Sequence, residues 1–309
     1  MNHRAAGGRH HHDVEEDCEE PQAPIGPGAA VYLFLSVDMA NSTAFKGREP
    51  RWPFVLHHFY EDVVREIRTV CPRFNVWKYI GDEVTFWRRM EPSDDLIRLI
   101  ADTYDALQRI CGELDRIEDA HRIKTRNVIS AKASMWAAAA EHVREANIGR
   151  DLTRDYRHPN RIIEEEHLIA LTGERTTDQL KIYDFIGPDI DIGFRTSHFA
   201  HERLLLVSAG LAYLLLGQAR ASQAVDRHMR IVSFQHLKGV WDDRPYPIVW
   251  YADDWSSIAA KFSYDERWNN PIVADVLRGQ YEDVSAIESI LRQTNRLDAL
   301  IAAQQLLAG

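Results

Sequence analysis

The feature that most limits the fold of this chain is a short, unbroken apolar run that stops abruptly at an acid. The run extends from Val31 to Val37 and is followed at once by Asp38. A run of this kind is typical of a strand buried on both faces of a sheet. A carboxylate at the end of a buried strand is costly unless it has a partner. We therefore expect chemistry at the carboxyl end of the first strand.

Apolar spacing predicts two amphipathic helices and three more strands after that first strand. Helical spacing extends from Trp52 to Val70, and again from Leu96 to about Ile117. Strand patterns cover Phe74–Ile80, Val84–Trp87 and Val128–Ala140, and a Gly-Asp-Glu turn joins the first two. The resulting order is β-α-β-β-α-β, the split arrangement of ferredoxin-like α+β folds.

Further elements are expected beyond this core. They are a strand at Lys181–Ile186, a short helix at Arg195–Arg203, a strand running into a helix at Leu204–Leu216, strands at Ile231–Phe234 and Pro247–Tyr251, and a helical tail over Asn270–Gly309. Residues 1–28 are rich in Gly, Pro, His and Glu without apolar periodicity, so a disordered tail is predicted there.

Composition limits the partners and the compartment. The net charge is −10, which argues against nucleic-acid binding, because that requires a basic surface. A nucleotide ligand remains compatible with a local basic pocket. The three cysteines match no disulfide or zinc framework, and the start of the chain has no apolar run typical of a signal peptide. No stretch is long and apolar enough to favour a membrane span. A cytoplasmic protein is the prediction.

Asp38 and Asp82 are the first candidates for metal ligands. Asp82 follows Gly81 at the tip of the predicted hairpin. In a β-α-β-β fold this tip lies beside the end of the first strand, so the two carboxylates would converge. Two divalent cations would neutralise them and leave positions for phosphate oxygens. Taken singly, Asp38 could instead cap the helix start near Asn41, and Asp82 could be an ordinary hairpin residue.

Four segments, in order, resemble the motifs of class III adenylyl and guanylyl cyclases. Phe34–Thr43 and Lys78–Asp82 are similar to the family's two metal motifs, and 44 positions separate the two aspartates (82 − 38). Asp184–Arg195 resembles the segment that binds base, ribose and phosphate. Leu237–Val240, followed by Pro247–Tyr251, resembles the closing Lys-Gly hairpin. The resemblance implies a cyclase catalytic domain over residues 29–255, with a helical extension over 256–309.

The resemblance also implies a role for each matching residue. Asp38, Asp82 and the carbonyl of Met39 would hold two Mg²⁺ or Mn²⁺ ions. Backbone N–H groups at the helix start, from Asn41 to Phe45, would bind phosphates. The implied substrate-binding residues are Lys78, Tyr79, Asp184, Asn41, Ser42 and Thr43. The implied catalytic residues are Arg195 at the α-phosphate, Lys238 at the outer phosphates and Asp191 at the ribose.

Some of these residues also have an ordinary interpretation, and the chain departs from the family pattern at two points. Taken alone, Arg195 could be a helix-surface charge and Lys238 a solvated hairpin lysine. Asp191 stands where the family usually has Asn, which leaves the ribose contact open. The predicted strand around Trp136 lacks the glycines usual there and carries bulky residues instead.

The identity of the base depends on Lys78 and Asp184. Lysine only donates hydrogen bonds, and an ionised aspartate only accepts them. Uracil can bind both side chains, because its O4 acceptor lies beside its N3–H donor. Adenine can also bind both, in a shifted register through N1 or N6. Pocket depth must decide between them. Bulky neighbours would raise the pocket floor for a pyrimidine, although they could simply be core. They are Trp77, Tyr79, Trp136 and Phe194.

The overall pattern resembles one branch in particular, the stand-alone pyrimidine cyclases of Pycsar anti-phage systems. This resemblance implies UTP or, less often, CTP as substrate, with a cyclic product that acts on a separate effector protein. UTP is preferred because cytosine N3 would face Asp184 as a second acceptor. The resemblance to class III cyclases also implies a homodimer with active sites shared between subunits. The alternatives are an ordinary adenylyl cyclase, an inactive nucleotide-binding regulator and, more distantly, a diguanylate-type synthase.

Overall fold

The computed structural model describes residues 29–143, 159–164, 183–219, 227–256, 271–294 and 297–308. The tail predicted over residues 1–28 lies outside the described residues. Up to residue 143 the elements are β1 (Ala29–Ala40), α1 (Ser42–Lys46), α2 (Trp52–Val70), β2 (Asn75–Ile80), β3 (Glu83–Arg89), α3 (Leu96–His121) and β4 (Ser130–Val143). The predicted β-α-β-β-α-β order is therefore confirmed, with α1 as an additional short helix.

The later elements extend this core. They are β5 (Asn160–Glu164), β6 (Tyr183–Ile186), α4 (Pro188–Ser197), β7 (Leu205–Val207), α5 (Ala209–Ala219), β8 (Met229–His236), β9 (Pro245–Tyr251), α6 (Pro271–Leu277), β10 (Glu282–Asp283), α7 (Ile287–Gln293) and α8 (Leu297–Ala308). The short helix predicted at Arg195–Arg203 is wrong. Pro188 occupies the first turn of α4, where a missing N–H costs nothing, and the helix ends at Ser197.

One mixed sheet joins the described strands. Its order is β10-β8-β9-β7-β4-β1-β3-β2; in addition, β5 pairs with β4, and β6 pairs with β5. The segment β4-β1-β3-β2 is antiparallel throughout, which is the strand order of a split βαβ ferredoxin-like core. The predicted α+β fold class is thus confirmed. The strands Ile231–Phe234 and Pro247–Tyr251 lie within the antiparallel pair β8–β9, as expected.

The two faces of β1 have different chemistry because side chains alternate along a strand. Val31, Leu33 and Leu35 enter an aliphatic core shared with α2 and α3. Tyr32 and Phe34 enter a second, aromatic cluster on the other face. The odd-numbered set continues through Val37 and Met39 into the aliphatic core, so Ser36 and Asp38 fall on the aromatic face.

The C-terminal helices pack on this same sheet. Val284, Leu291, Leu297 and Ala303 are buried in the aliphatic core, and α8 contacts β1. The division of the chain at residue 255 stays a prediction. Within the described part of the chain, no helix combines the length and the apolar character that crossing a bilayer would need.

Asp94 forms a largely buried ion-pair cluster just before the start of α3. Its carboxylate accepts from the guanidinium groups of Arg73 and Arg88 and, at 2.8 Å, from the N–H of Glu91. The side chains of Arg88 and Asp94 are 4% and 7% exposed. Burial raises the pKa of Asp94, but the Glu91 N–H and the Arg88 guanidinium outweigh it and hold the pKa below its ordinary value.

We expect Asp94→Ala to lower the free energy of unfolding by about 3–5 kcal/mol, because Arg88 would be left buried without its partner. Since the folded pKa is depressed, the stabilisation is present above the unfolded pKa of about 3.9 and is lost as pH falls through the lower folded value. Urea unfolding at neutral pH and in the acid range measures both effects. The exposed pair of Arg98 and Asp102 supplies the control, since Asp102→Ala should change stability by about 0.5 kcal/mol or less.

Candidate active site

The site is built around the carboxyl end of β1. In the sheet register Asp38 lies between Glu83 of β3 and Lys132 of β4. The chain then turns at Asn41, whose backbone is left-handed (φ 62°), into the five-residue helix α1. Asn41 is the residue that precedes this helix, so Asp38 is not its cap. The side chain of Asn41 donates instead to Glu202 at 2.6 Å.

The β2–β3 hairpin brings Asp82 to the same place. Gly81 supplies the positive φ (65°) that the turn requires, and Asp82 follows it. The N–H of Met39 donates to the carbonyl of Asp82 at 3.2 Å. The main chain therefore holds the two aspartates on neighbouring strand ends. Burial raises the pKa of Asp38, and the nearby Asp82 carboxylate adds to that shift.

Each aspartate is paired with a lysine. Lys132 Nζ lies 3.1 Å from Asp38 Oδ2, and Lys46 Nζ lies 3.2 Å from Asp82 Oδ1. The Ser42 hydroxyl also donates to Asp82. Burial raises the pKa of Asp38 above its ordinary value, and the Lys132 ammonium opposes the shift without cancelling it. The charges of the two carboxylates are thus partly neutralised by the chain itself.

Glu83 is a third carboxylate of the site, and sequence reasoning missed it. It accepts a short hydrogen bond from the Ser36 hydroxyl, and its pKa is raised, first by burial and then by Asp38. Because β1 and β3 pair Asp38 with Glu83, the two side chains lie on the same face. Combining the Gly-Asp-Glu hairpin with the strand register could have found it. Lys46 and Lys132 were missed too, since neither stands in a motif.

A cavity of about 250 Å³ opens beside this cluster. Asp38, Glu83, Lys132 and Ser134 line it from the sheet, and residues at the end of α4 line it from the same chain. The Ser134 side chain is 1% exposed, and its hydroxyl has no hydrogen-bond partner among the described residues. An unpaired buried hydroxyl costs free energy, so the Ser134 hydroxyl could donate a hydrogen bond to an oxygen of a ligand bound in this cavity.

The start of α1 is only partly available for phosphates. The N–H of Phe45 donates to the carbonyl of Asn41 at 3.2 Å, so Phe45 is already engaged. Ser42 is buried with its hydroxyl on Asp82, whereas Thr43 is exposed. Of the predicted substrate-binding residues at the helix start, Ser42 therefore contacts Asp82, Thr43 is exposed, and the Asn41 side chain is bound to Glu202.

The proposed base-reading pair lies on β2 and β6. Lys78 Nζ is 2.7 Å from Asp184 Oδ1, although 106 residues separate the two in sequence. Lys78 Nζ also lies 5.0 Å from the centre of the Trp77 ring. Tyr79 is not brought to this pair, because it is 54% exposed and its ring meets Tyr60 of α2 edge-on at 5.1 Å.

The bulky residues on this face form a packed floor. Trp136 is 1% exposed, stacks on Phe34 with ring centres 5.5 Å apart, and lies 5.3 Å from the Phe194 ring. A Cβ added to Gly193 of α4 would come within 2.3 Å of the Trp136 indole. The indole N–H groups of Trp77 and Trp136 have no partner among the described residues. Trp136 is therefore core, and it also sets how closely α4 approaches the sheet.

Arg195 and Lys238 come together from separate elements. Arg195, in the last turn of α4, donates from Nη1 to the carbonyl of Lys238 at 2.6 Å. Lys238 is followed by Gly239, whose φ is 71°, in the turn between β8 and β9. Both side chains are exposed, and so is Asp191 in the first turn of α4.

The donors at Asp38 and Asp82 fit hard divalent cations. Carboxylates and main-chain carbonyls are the oxygen ligands that Mg²⁺ and Mn²⁺ accept, and the two lysine ammonium groups already place positive charge against both carboxylates. Among the residues described here, no group of three or more His, Cys, Asp or Glu side chains is arranged to hold a metal ion. Any cation would therefore rely on the two aspartates, backbone oxygens and substrate.

No protein-family model matches the chain, and no curated protein matches it by sequence. Among solved structures it is similar to the adenylyl cyclase CyaB from P. aeruginosa, with 12% identity, coverage of 74% of this chain and 97% of the other, and a TM-score of 0.49. The guanylyl cyclase Cya2 gives 10% identity, 75% and 98% coverage and a TM-score of 0.45. A structure of adenylate cyclases from Trypanosoma brucei gives 13% identity, coverage of 72% of this chain and 88% of the other, and a TM-score of 0.47. The likeness is one of overall fold.

Proposed function

We propose that the protein is a nucleotidyl cyclase of the class III type, which closes a nucleoside triphosphate into a 3′,5′-cyclic monophosphate and releases pyrophosphate. The observation that carries the proposal is the meeting of Asp38 and Asp82 at adjacent strand ends, held by the Met39–Asp82 hydrogen bond. Two converging carboxylates, an unpaired hydroxyl and a neighbouring cavity suit a phosphate-bearing ligand with divalent cations.

In the proposed reaction Asp38, Asp82 and the Met39 carbonyl would hold two Mg²⁺ or Mn²⁺ ions. When bound, such ions lower the pKa of a ribose 3′-hydroxyl and neutralise charge on the phosphates. The N–H groups at the start of α1 orient the outer phosphates. Arg195 stabilises negative charge on the α-phosphate, and Lys238 binds the phosphates that leave. The bond from Arg195 to the Lys238 carbonyl keeps these two residues in one group.

UTP is the proposed substrate. Lys78 donates and Asp184 accepts, and uracil offers O4 and N3–H side by side. The 2.7 Å contact between Lys78 and Asp184 supports a shared role in base recognition, and the bulky Trp77, Trp136 and Phe194 packed on this face favour a short, one-ring base. The alternatives are CTP and ATP. A purine needs a deeper pocket, and cytosine N3 would face the Asp184 carboxylate.

Catalysis is proposed to need two copies of the chain. One subunit would supply Asp38 and Asp82, and its partner would supply Lys78, Asp184 and Arg195, giving two equivalent sites across a two-fold axis. Lys78 lies in β2 only four positions before Asp82 (82 − 78), which is in the following turn, so base and metals would crowd together if one subunit presented both to the same nucleotide. The cyclic product would then act on a separate effector, as in anti-phage signalling.

Product identification tests the reaction and the base together. The protein is incubated with ATP, GTP, CTP or UTP and Mn²⁺, and the products are resolved by mass spectrometry. We expect cyclic UMP from UTP. Cyclic AMP as the main product would replace the pyrimidine assignment with an adenylyl cyclase. The absence of any cyclic product, with nucleotide still bound, would favour a regulator.

We expect Asp184→Asn to reduce the preference for UTP over CTP, measured as the ratio of kcat/KM values, by about tenfold or more. An amide can rotate to offer N–H to cytosine N3, whereas the carboxylate cannot, and one misplaced hydrogen bond is worth about 1–3 kcal/mol. Asp275→Asn removes the same charge from an exposed side chain of α6, away from the site, and should leave the ratio unchanged. An unchanged ratio in Asp184→Asn would remove Asp184 from base selection.

A further inference from the structure

Each of the two site aspartates, Asp38 and Asp82, forms an ion pair with a lysine of the same chain. Two ammonium groups, of Lys46 and Lys132, meet two different carboxylates, of Asp82 and Asp38, at 3.2 and 3.1 Å. The four side chains are 22–31% exposed, so these are partly buried contacts. The lysines come from different elements, α1 and β4, and each reaches the aspartate from its own side.

Each lysine also has a second group of the site within reach. Lys46 Nζ already lies 5.7 Å from the centre of the Trp52 ring, which can receive a released ammonium group. Lys132 also lies near the Glu83 carboxylate: burial raises the pKa of Glu83, and the Lys132 ammonium opposes that shift without cancelling it. Both side chains are flexible four-carbon stems that end in a compact charge. Each lysine therefore has a second position within reach.

We infer that Lys46 and Lys132 occupy the two cation positions of the metal-free site, and that divalent cations bind by displacing their ammonium groups from Asp82 and Asp38. The inference rests on the proposed function, because it uses the same two aspartates as metal ligands. It adds that metal binding is an exchange of charge within the site. The lysines are positioning residues for the metal-free carboxylates and competitors of the metal.

The charge balance explains why exchange is favourable. Asp38, Asp82 and Glu83 carry three negative charges and the two lysines two positive ones, which leaves one negative charge while the lysines are in place. Without any cation, converging carboxylates at partly buried positions would repel, so the lysines keep the strand ends together. A divalent ion brings twice the charge and can contact both carboxylates, whereas each lysine pairs with one.

Metal affinity measures the competition. Titration calorimetry with Mn²⁺ alone is expected to show about fivefold tighter binding for Lys132→Met and for Lys46→Met, because the metal no longer displaces an ammonium group. Lys124→Met is the matched control, since Lys124 is exposed in the loop after α3 and its loss changes the net charge equally. Its affinity should stay close to wild type. Equal tightening in all three variants would reduce the effect to net charge and overturn the inference.

Chemical labelling measures the displacement itself in the wild-type chain. Acylation of lysine by an N-hydroxysuccinimide ester, followed by peptide mass spectrometry, should modify Lys46 about threefold faster with saturating Mn²⁺, because the released amine is more accessible. The rate at Lys124 should not change. Unchanged labelling of Lys46 while Mn²⁺ binds, or a chain that binds no Mn²⁺, would contradict the inference.

These outcomes are separable from those of the product assay. If cyclic nucleotide forms while Lys46 labelling and the affinities do not respond, the proposed function stands and the exchange is wrong. If Lys46 is released by Mn²⁺ and the Met variants bind more tightly, yet no triphosphate is cyclised, the exchange stands and the proposed function is wrong.

Discussion

An equal mixture of Asp82→Ala and Arg195→Ala chains is expected to recover about a quarter of wild-type cyclase activity, although each variant alone is nearly inactive. Random pairing makes about half of the dimers mixed, and each mixed dimer keeps one site with both residues intact. Each single variant should lose roughly 10²–10³ in kcat, the usual effect of removing one charged group that stabilises the transition state. Product formation after subunit exchange measures the recovery.

A second mixture provides the control for this experiment. Asp38→Ala and Asp82→Ala chains should not complement each other, because both lack a residue of the same half-site and every site in the mixed dimer is then defective. Dimer formation is verified for each mixture by light scattering. If Asp82→Ala and Arg195→Ala fail to complement within confirmed dimers, the shared-site arrangement is wrong, and Arg195 acts in its own subunit or not at all.

The contact of Gly193 with Trp136 links the stability of the protein to its activity, because it sets the distance between α4 and the sheet. In Gly193→Ala the new methyl group would lie within 2.3 Å of an indole that is 1% exposed and packed on Phe34. We expect a loss of about 1–3 kcal/mol in the free energy of unfolding, typical of overpacking. The kcat should fall as well, because α4 must rise from the sheet and Arg195 lies two residues beyond Gly193. Urea unfolding and steady-state kinetics measure the two effects.

Two further variants isolate the contact. In a Trp136→Ala background the indole is absent, so Gly193→Ala should cost little, and a double-mutant cycle should give a coupling of about 1–3 kcal/mol. No atom of the described residues lies within 4 Å of a Cβ added to Gly112 in α3, so Gly112→Ala should stabilise the protein by about 0.5–1 kcal/mol. An equal cost of Gly193→Ala with and without Trp136 would show that the indole does not set the position of α4.

The core of the fold could be predicted because its sequence signals are local and strong. The apolar run before Asp38 lies in β1, and helical spacing gave α2 with both ends correct, at Trp52 and Val70. The helix containing Arg195 was misplaced because hydrophobic spacing is weak there, while the decisive signal was Pro188 at its start. A short helix with few apolar residues shows little hydrophobic periodicity, so its bounds are hard to predict.

The candidate site was only half visible in the sequence. Motif order identified Asp38, Asp82, Lys78 and Asp184, which the fold brings together as two pairs. Motifs say nothing of partners that arise from pairing across the sheet, so Glu83 and Lys132 emerged only with the register of β1, β3 and β4. Tyr79 fails for a related reason: next to Lys78 on a strand, its side chain points to the other face.

The packing of α8 has a practical consequence for any shortened version of the protein. Ala303 of α8 and Val31 of β1 line the same small cavity, and Leu300 lies against Gly210 of α5. A chain ending near residue 255 would expose the aliphatic side of the very strand that carries Asp38. Low activity of such a fragment would then reflect the loss of packing on β1. The last fifty or so residues should therefore be present in every activity assay.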